Sequence, residues 1–109
     1  MAFDETLAGG VRALLTGRDD ISEKRMFGGL TFLLGGHMCC GVHGQELILR
    51  LGHGGAEEAL TELHVRPMDF TGRPLRGFVT VRPEGLDGDQ LRRWVQLAVE
   101  FAQSLAPKK

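Results

Sequence analysis

At 109 residues the chain has room for one domain, spanning 1–109, with a core that needs no disulfide or metal staples. It is 42% hydrophobic and 25% charged, and its formal net charge of −1 supplies no global field for nucleic acid or an anionic membrane. No apolar run approaches the roughly 18 residues of a spanning helix. Asp4 and Glu5 break the basic-then-apolar order of a signal peptide, and there is no Asn and hence no glycosylation sequon. The two cysteines are neighbours, Cys39-Cys40, with Cα atoms ~3.8 Å apart, closer than ordinary disulfide geometry allows. We therefore expect a cytoplasmic protein in a reducing compartment.

In chain order, Asp4 can cap a first helix in which Leu7, Val11, Leu14 and Leu15 recur at helical spacing, with Gly17 as its stop. Gly9-Gly10 inside it should cost about 1 kcal/mol each against Ala. That helix must lean on tertiary packing, or lie so close to a neighbour that only Gly fits. From Lys24 to Leu51, Gly28-Gly29, Gly35-Gly36 and His43-Gly44-Gln45 punctuate short apolar runs. Gly35-Gly36 suits a two-residue hairpin turn, which needs positive φ. These signals predict antiparallel strands over 23–27, 30–34, 37–43 and 46–51.

Gly54-Gly55 then precede a short helix carrying Ala56, Ala59, Leu60 and Leu63, with Glu57, Glu58 and Glu62 facing out. Val65 to Pro74 is rich in turn formers, and Pro67 and Pro74 argue against a central strand. Gly77 to Arg82 reads as the last strand. Asp87 with Gln90 resembles a capping box. It precedes the strongest amphipathic helix, marked by Leu91, Trp94, Val95, Ala98, Phe101, Ala102 and Leu105. Residues 106–109 are expected to form a frayed tail. The expected fold is α+β, a two-layer sandwich of about five antiparallel strands with helices at the N-terminus, middle and C-terminus.

Turns at Gly35-Gly36 and Gly44-Gln45 fix an expected register. Leu33 faces Met38, Phe32 faces Cys39, Cys40 faces Leu49, Val42 faces Leu47, and Cys39 faces Arg50. One sheet face is then uniformly apolar: Leu33, Met38, Cys40, Val42, Leu47, Leu49 and Leu51. The other mixes Leu30, Phe32, Leu34 and Ile48 with His37, Cys39, His43 and Arg50. Three helices can cover one face of such a sheet. Either the mixed face stays open as an association surface, or the terminal helix folds over it.

Chemistry-bearing clusters are few. In His37-x-Cys39-Cys40-x-x-His43, His37 and Cys39 lie ~7 Å apart on a strand but His43 is ~20 Å on, too far for one metal ion. We expect no metal and no cofactor. Cys39 beside Arg50 could have a lowered thiol pKa, but no histidine base is in line with it. Arg66, Arg73 and Arg76 surround Asp69; the simpler reading is a pinned loop, and the functional one an anion site. Lys24-Arg25 beside Phe27 falls short of the 6–10 or so phosphate contacts of a strong nucleic-acid binder. No Walker-type, GxSxG or HExxH motif occurs, and no carboxylate dyad is evident.

Several blocks nevertheless recur in a known order: Met26-Phe27-Gly28-Gly29, Met38 with Gly41-Val42, Leu47 with Arg50, Arg66-Pro67-Met68 with Phe70, and Gly77-Phe78. In these positions the chain resembles the N-terminal domain of the TfoX/Sxy family, named for regulators of natural competence. The resemblance covers nearly the whole chain. It implies a two-layer α+β sandwich with helices against an antiparallel sheet. Full-length competence regulators of this family carry a second, helical C-terminal domain and act as transcriptional coactivators alongside a cAMP-responsive regulator. This chain ends after its last helix, so we expect it to work without that second domain. The resemblance carries over no catalytic residues.

Three functional readings follow. The first is a non-enzymatic regulatory or protein-interaction domain, with Leu30, Phe32, Leu34, Ile48 and Arg50 as the contact surface for a protein partner or a second copy of itself. It expects a possible homodimer, no direct nucleic-acid binding and no membrane. The second is a small-anion or nucleotide sensor built on Arg66, Arg73 and Arg76. The third is an enzyme or redox protein using Cys39.

Overall fold

The computed structural model describes residues 3–26, 28–68 and 75–105. Helix α1 (Glu5–Leu14) leads into four strands, β1 (Ile21–Met26), β2 (Gly29–Leu34), β3 (His37–His43) and β4 (Glu46–Arg50). Helix α2 (Gly52–Ala59), strands β5 (Val65–Pro67) and β6 (Phe78–Val81), a 3-10 turn at Pro83–Gly85 and helix α3 (Gln90–Gln103) complete the described chain. The strands lie in the order β1-β2-β3-β4-β6-β5 with every neighbour antiparallel. This is the α+β architecture expected, with one strand more: β5, which the turn-rich composition concealed. Pro67 ends that strand at the sheet edge, where its missing N–H breaks no ladder.

Local signals explain most element boundaries. The Asp4 carboxylate accepts from the N–H groups of Thr6 and Leu7 at 2.8 and 3.1 Å, so α1 starts where expected. Close packing accounts for Gly10, where an added Cβ would sit 3.2 Å from Leu91 of α3; Gly9 faces open space. Gly35 and Gly36 have φ of 60° and 87° and make the predicted β2–β3 turn. Gly29 has no room for a side chain, since a Cβ would run into the Val42 carbonyl on β3.

Two boundaries differ from expectation. Helix α2 begins at Gly52, because the N–H groups of Leu51 and Gly52 both bond to the Gly77 carbonyl and fix its start. It ends at Ala59, so Leu63 falls in the following turn rather than on its apolar face. At α3, Asp89 holds the N-cap position without a side-chain bond; the Asp87 carbonyl instead accepts from the Gln90 N–H in a turn through Gly88. The expected Asp87 capping box is therefore a backbone turn.

The two faces of the sheet are decided by one irregularity. The β3–β4 register is as predicted, with Cys40 opposite Leu49 and Val42 opposite Leu47. Between β2 and β3, Leu33 faces Met38 but Phe32 faces Cys40, so Cys39 is an extra residue in a β-bulge. Beyond the bulge Leu30 pairs with Val42. Leu30, Phe32 and Leu34 therefore share a face with Val42, Leu47, Leu49, Val79 and Val81, and all join α1, α2 and α3 in one core. Leu33 and Met38, expected in that core, are half-buried on the opposite face. There they accompany the row Lys24, Thr31, Gly41, Ile48, Thr80 and Arg66.

Candidate interaction and ligand surfaces

The expected contact surface does not survive this register. Leu30, Phe32 and Leu34 are buried core residues under the helices, and Phe32 is 0% exposed. The correction has a simple cause. One extra residue in β3 reverses which side chains of β2 share a face with the β3–β4 hairpin. Ile48 does lie on the opposite face, but it too is buried. Arg50 sits with its guanidinium 5.7 Å from the ring centroids of both Phe78 and Phe101. It clamps the end of β4 to α3 rather than standing beside Cys39.

The bulge also settles the cysteines. Cys39 and Cys40 are both 0% exposed and both belong to the core. The interaction with the neighbouring Cys40 thiol, helped by the nearby Arg18 cation, holds the Cys39 thiol below its usual pKa against the opposing effect of burial. Its neighbour and complete burial push Cys40 well up. A nucleophile must meet its substrate, and Cys39 has no surface on which to do so. Among the described residues no group of three or more His, Cys, Asp or Glu could hold a metal ion.

The three arginines of the expected anion site part company. Arg66 reaches from β5 across β6 to form an ion pair with Glu46 of β4. Arg76 lines a cleft on the α2 side of the sheet. Arg73 and Asp69 lie outside the described residues. Pleating explains the separation. Arg66 shares the outer row with Thr80, while Pro67, one residue on, lines the same cleft as Arg76.

What the sequence reading missed gathers around α2. The exposed large hydrophobic residues among those described are Leu60, Leu63, Leu75 and Leu97, with Leu63 at 82%. Leu60 and Leu75 line the cleft with Arg76, which runs between α2 and the β5–β6 strands and holds about 290 Å³. Leu97 lines a second, smaller groove on the other side of α2, with Trp94 and Ala59. Leu63 projects from the turn that follows α2. A bidentate pair of Arg93 with Glu62, at 2.7 and 3.1 Å, ties this turn to α3, and the same guanidinium lies 4.1 Å over the Trp94 ring. The signal for this corner was Gly54-Gly55: glycines inside an eight-residue helix leave little side chain to cover its neighbours.

The sheet edges offer less. Ser22, Glu23, Lys24 and Arg25 are exposed along β1, and Arg12 of α1 bonds Glu23 at 2.6 and 2.9 Å. Edge β5 is three residues long and ends in Pro67. Charge, brevity and proline blunt both edges against strand addition. No helix is long and apolar enough to cross a membrane among the described residues.

Among the described residues, six antiparallel strands with three helices packed on one face define an open-faced α+β sandwich. Residues 13–102 match the TfoX N-terminal domain, and the chain belongs to that family. The motif positions now have physical roles: Gly29 and Gly41 allow close backbone approach in the sheet, Val42 and Leu47 fill the core, and Arg50 stacks on Phe78. No curated protein and no solved structure matches the chain.

Proposed function

We propose that this chain is a non-enzymatic regulatory domain of the competence-regulator type, which works in the cytoplasm by presenting the α2 corner to a protein partner or to a second copy of itself. The observation that carries this reading is the grouping of Leu60, Leu63, Leu75 and Leu97, the exposed large hydrophobic residues among those described, about one short helix. Exposed apolar residues grouped in this way, with Glu57 and Glu58 at their margin, have the composition of a recognition surface with a polar rim. Family membership supports the regulatory class. A net charge of −1 favours a protein partner over nucleic acid.

The test is light scattering of the purified chain over a range of concentration and salt, with Leu63→Asp and Leu97→Asp as variants. Self-association that both substitutions abolish, with thermal stability retained, supports the reading. If the chain is a monomer, a capture experiment follows, in which the partner must be lost with the same two variants. Association unaffected by either substitution rules the α2 corner out.

A further inference from the structure

The cleft between α2 and the β5–β6 strands has the layout of a small-molecule site. Ala56, Leu60, Pro67, Leu75 and Phe78 form its apolar walls, and its volume of about 290 Å³ falls just below the roughly 300–1,000 Å³ common for ligand pockets, which suits a small ligand. The ionisable side chains on the cleft are those of Arg76, His53 and Glu57. Among the described residues Arg76 has no carboxylate partner, in contrast to Arg12, Arg18, Arg66 and Arg93, which are all ion-paired. An exposed guanidinium at the rim of an apolar cleft, with no ion pair to any described carboxylate, is suited to a carboxylate from outside. The start of α2, which no side chain caps, adds a partial positive charge close to His53. Glu57 on the same cleft disfavours a ligand carrying a second negative charge.

We propose that this cleft binds a small organic monocarboxylate with an apolar body, its carboxylate on Arg76 and its body between Leu60, Leu75 and Phe78. This site is distinct from the loop of three arginines suggested by the sequence, since Arg66 is engaged with Glu46 on the other face. It does not depend on the interaction reading: ligand binding is read at Arg76, and protein association at Leu63 and Leu97.

The experiment is a titration of the full, isotope-labelled chain with 4-methylpentanoate, followed by amide correlation spectra. Parallel titrations use 4-methylpentan-1-ol, which keeps the body and removes the charge, and inorganic phosphate, which keeps an anion and removes the body. The expected result is saturable shifts at His53, Ala56, Leu60, Gly77 and Phe78 at millimolar carboxylate. Both control probes should bind about tenfold or more weakly. Arg76→Ala should weaken carboxylate binding by a similar factor while leaving the melting temperature unchanged. Leu75→Glu, at an exposed wall position, should weaken it through charge repulsion. Equal binding of the alcohol, equal binding by the Arg76→Ala variant, or no saturable shift at the cleft would each overturn the proposal.

Discussion

The centre of the sheet and the corner around α2 use the same residue type in opposite ways. Leu47 and Leu49 are 0% exposed, enclosed between three helices and neighbouring strands. Leu60, Leu63 and Leu75 stand at the surface around a helix rich in glycine. Burial in the centre contributes to folding, at roughly 25 cal/mol per Å² of apolar surface removed from water. The part of these side chains still in contact with water, most of Leu63 and about two-fifths of Leu60 and Leu75, adds nothing to folding and leaves that free energy available for binding. Substitutions in the two regions should therefore be read by different instruments: denaturation for one, association or ligand titration for the other.

The sharpest way to break that contrast is Phe32→Ala. Phe32 is among the largest fully buried side chains, and its removal should cost about 3–5 kcal/mol, measured by chemical denaturation. A small loss together with altered association would put Phe32 back on an interaction surface. Next comes Gly52→Ala, at the junction of the two regions. Gly52 has φ of 78°, and an added Cβ would lie 2.5 Å from the Phe101 ring. A left-handed backbone alone costs an Ala roughly 1–2 kcal/mol, and displacement of the ring adds to it. By contrast, Leu63→Ser should change stability by no more than about 0.5 kcal/mol, because the side chain is already in water.

The smallest effect concerns pH. The hydrogen bond from Arg12 holds the Glu23 carboxyl below its usual pKa against the penalty from burial, with the Arg12 charge adding a smaller pull in the same direction. A depressed folded-state pKa stabilises the protein above the ordinary glutamate range, and that contribution is lost as pH falls through the depressed value. Glu23→Gln should accordingly lower the melting temperature slightly at neutral pH and converge with the parent in acid. A constant offset at every pH would show that packing, rather than the ion pair, links α1 to β1.

The elements with local chemistry were legible in the sequence. Asp4 caps α1, Gly35-Gly36 turns the β2–β3 hairpin, and the β3–β4 register follows from the Gly44-Gln45 turn. The bulge was not, because two consecutive small, apolar cysteines satisfy either parity of a strand. That one residue reversed the faces of Leu30, Phe32 and Leu34 and took the proposed contact surface with it. Arg66 and Arg76 seemed to be neighbours because sequence distance hides the pleat and the edge strand between them. Leu60 and Leu63 fit the spacing of one helix with Ala56 and Ala59, and only the stop at Ala59 places Leu63 in the following turn.

The paired thiols at the bulge give the protein a built-in reporter. Cys39 and Cys40 are the only cysteines in the sequence, and both are enclosed in the native fold. An alkylating reagent can reach them only when the middle of the sheet opens. Under fast reclosing, the labelling rate divided by that of the unfolded chain gives the free energy of that opening directly. Unmodified protein can thus be monitored by mass alone, with each chain recording how often its own centre has come apart.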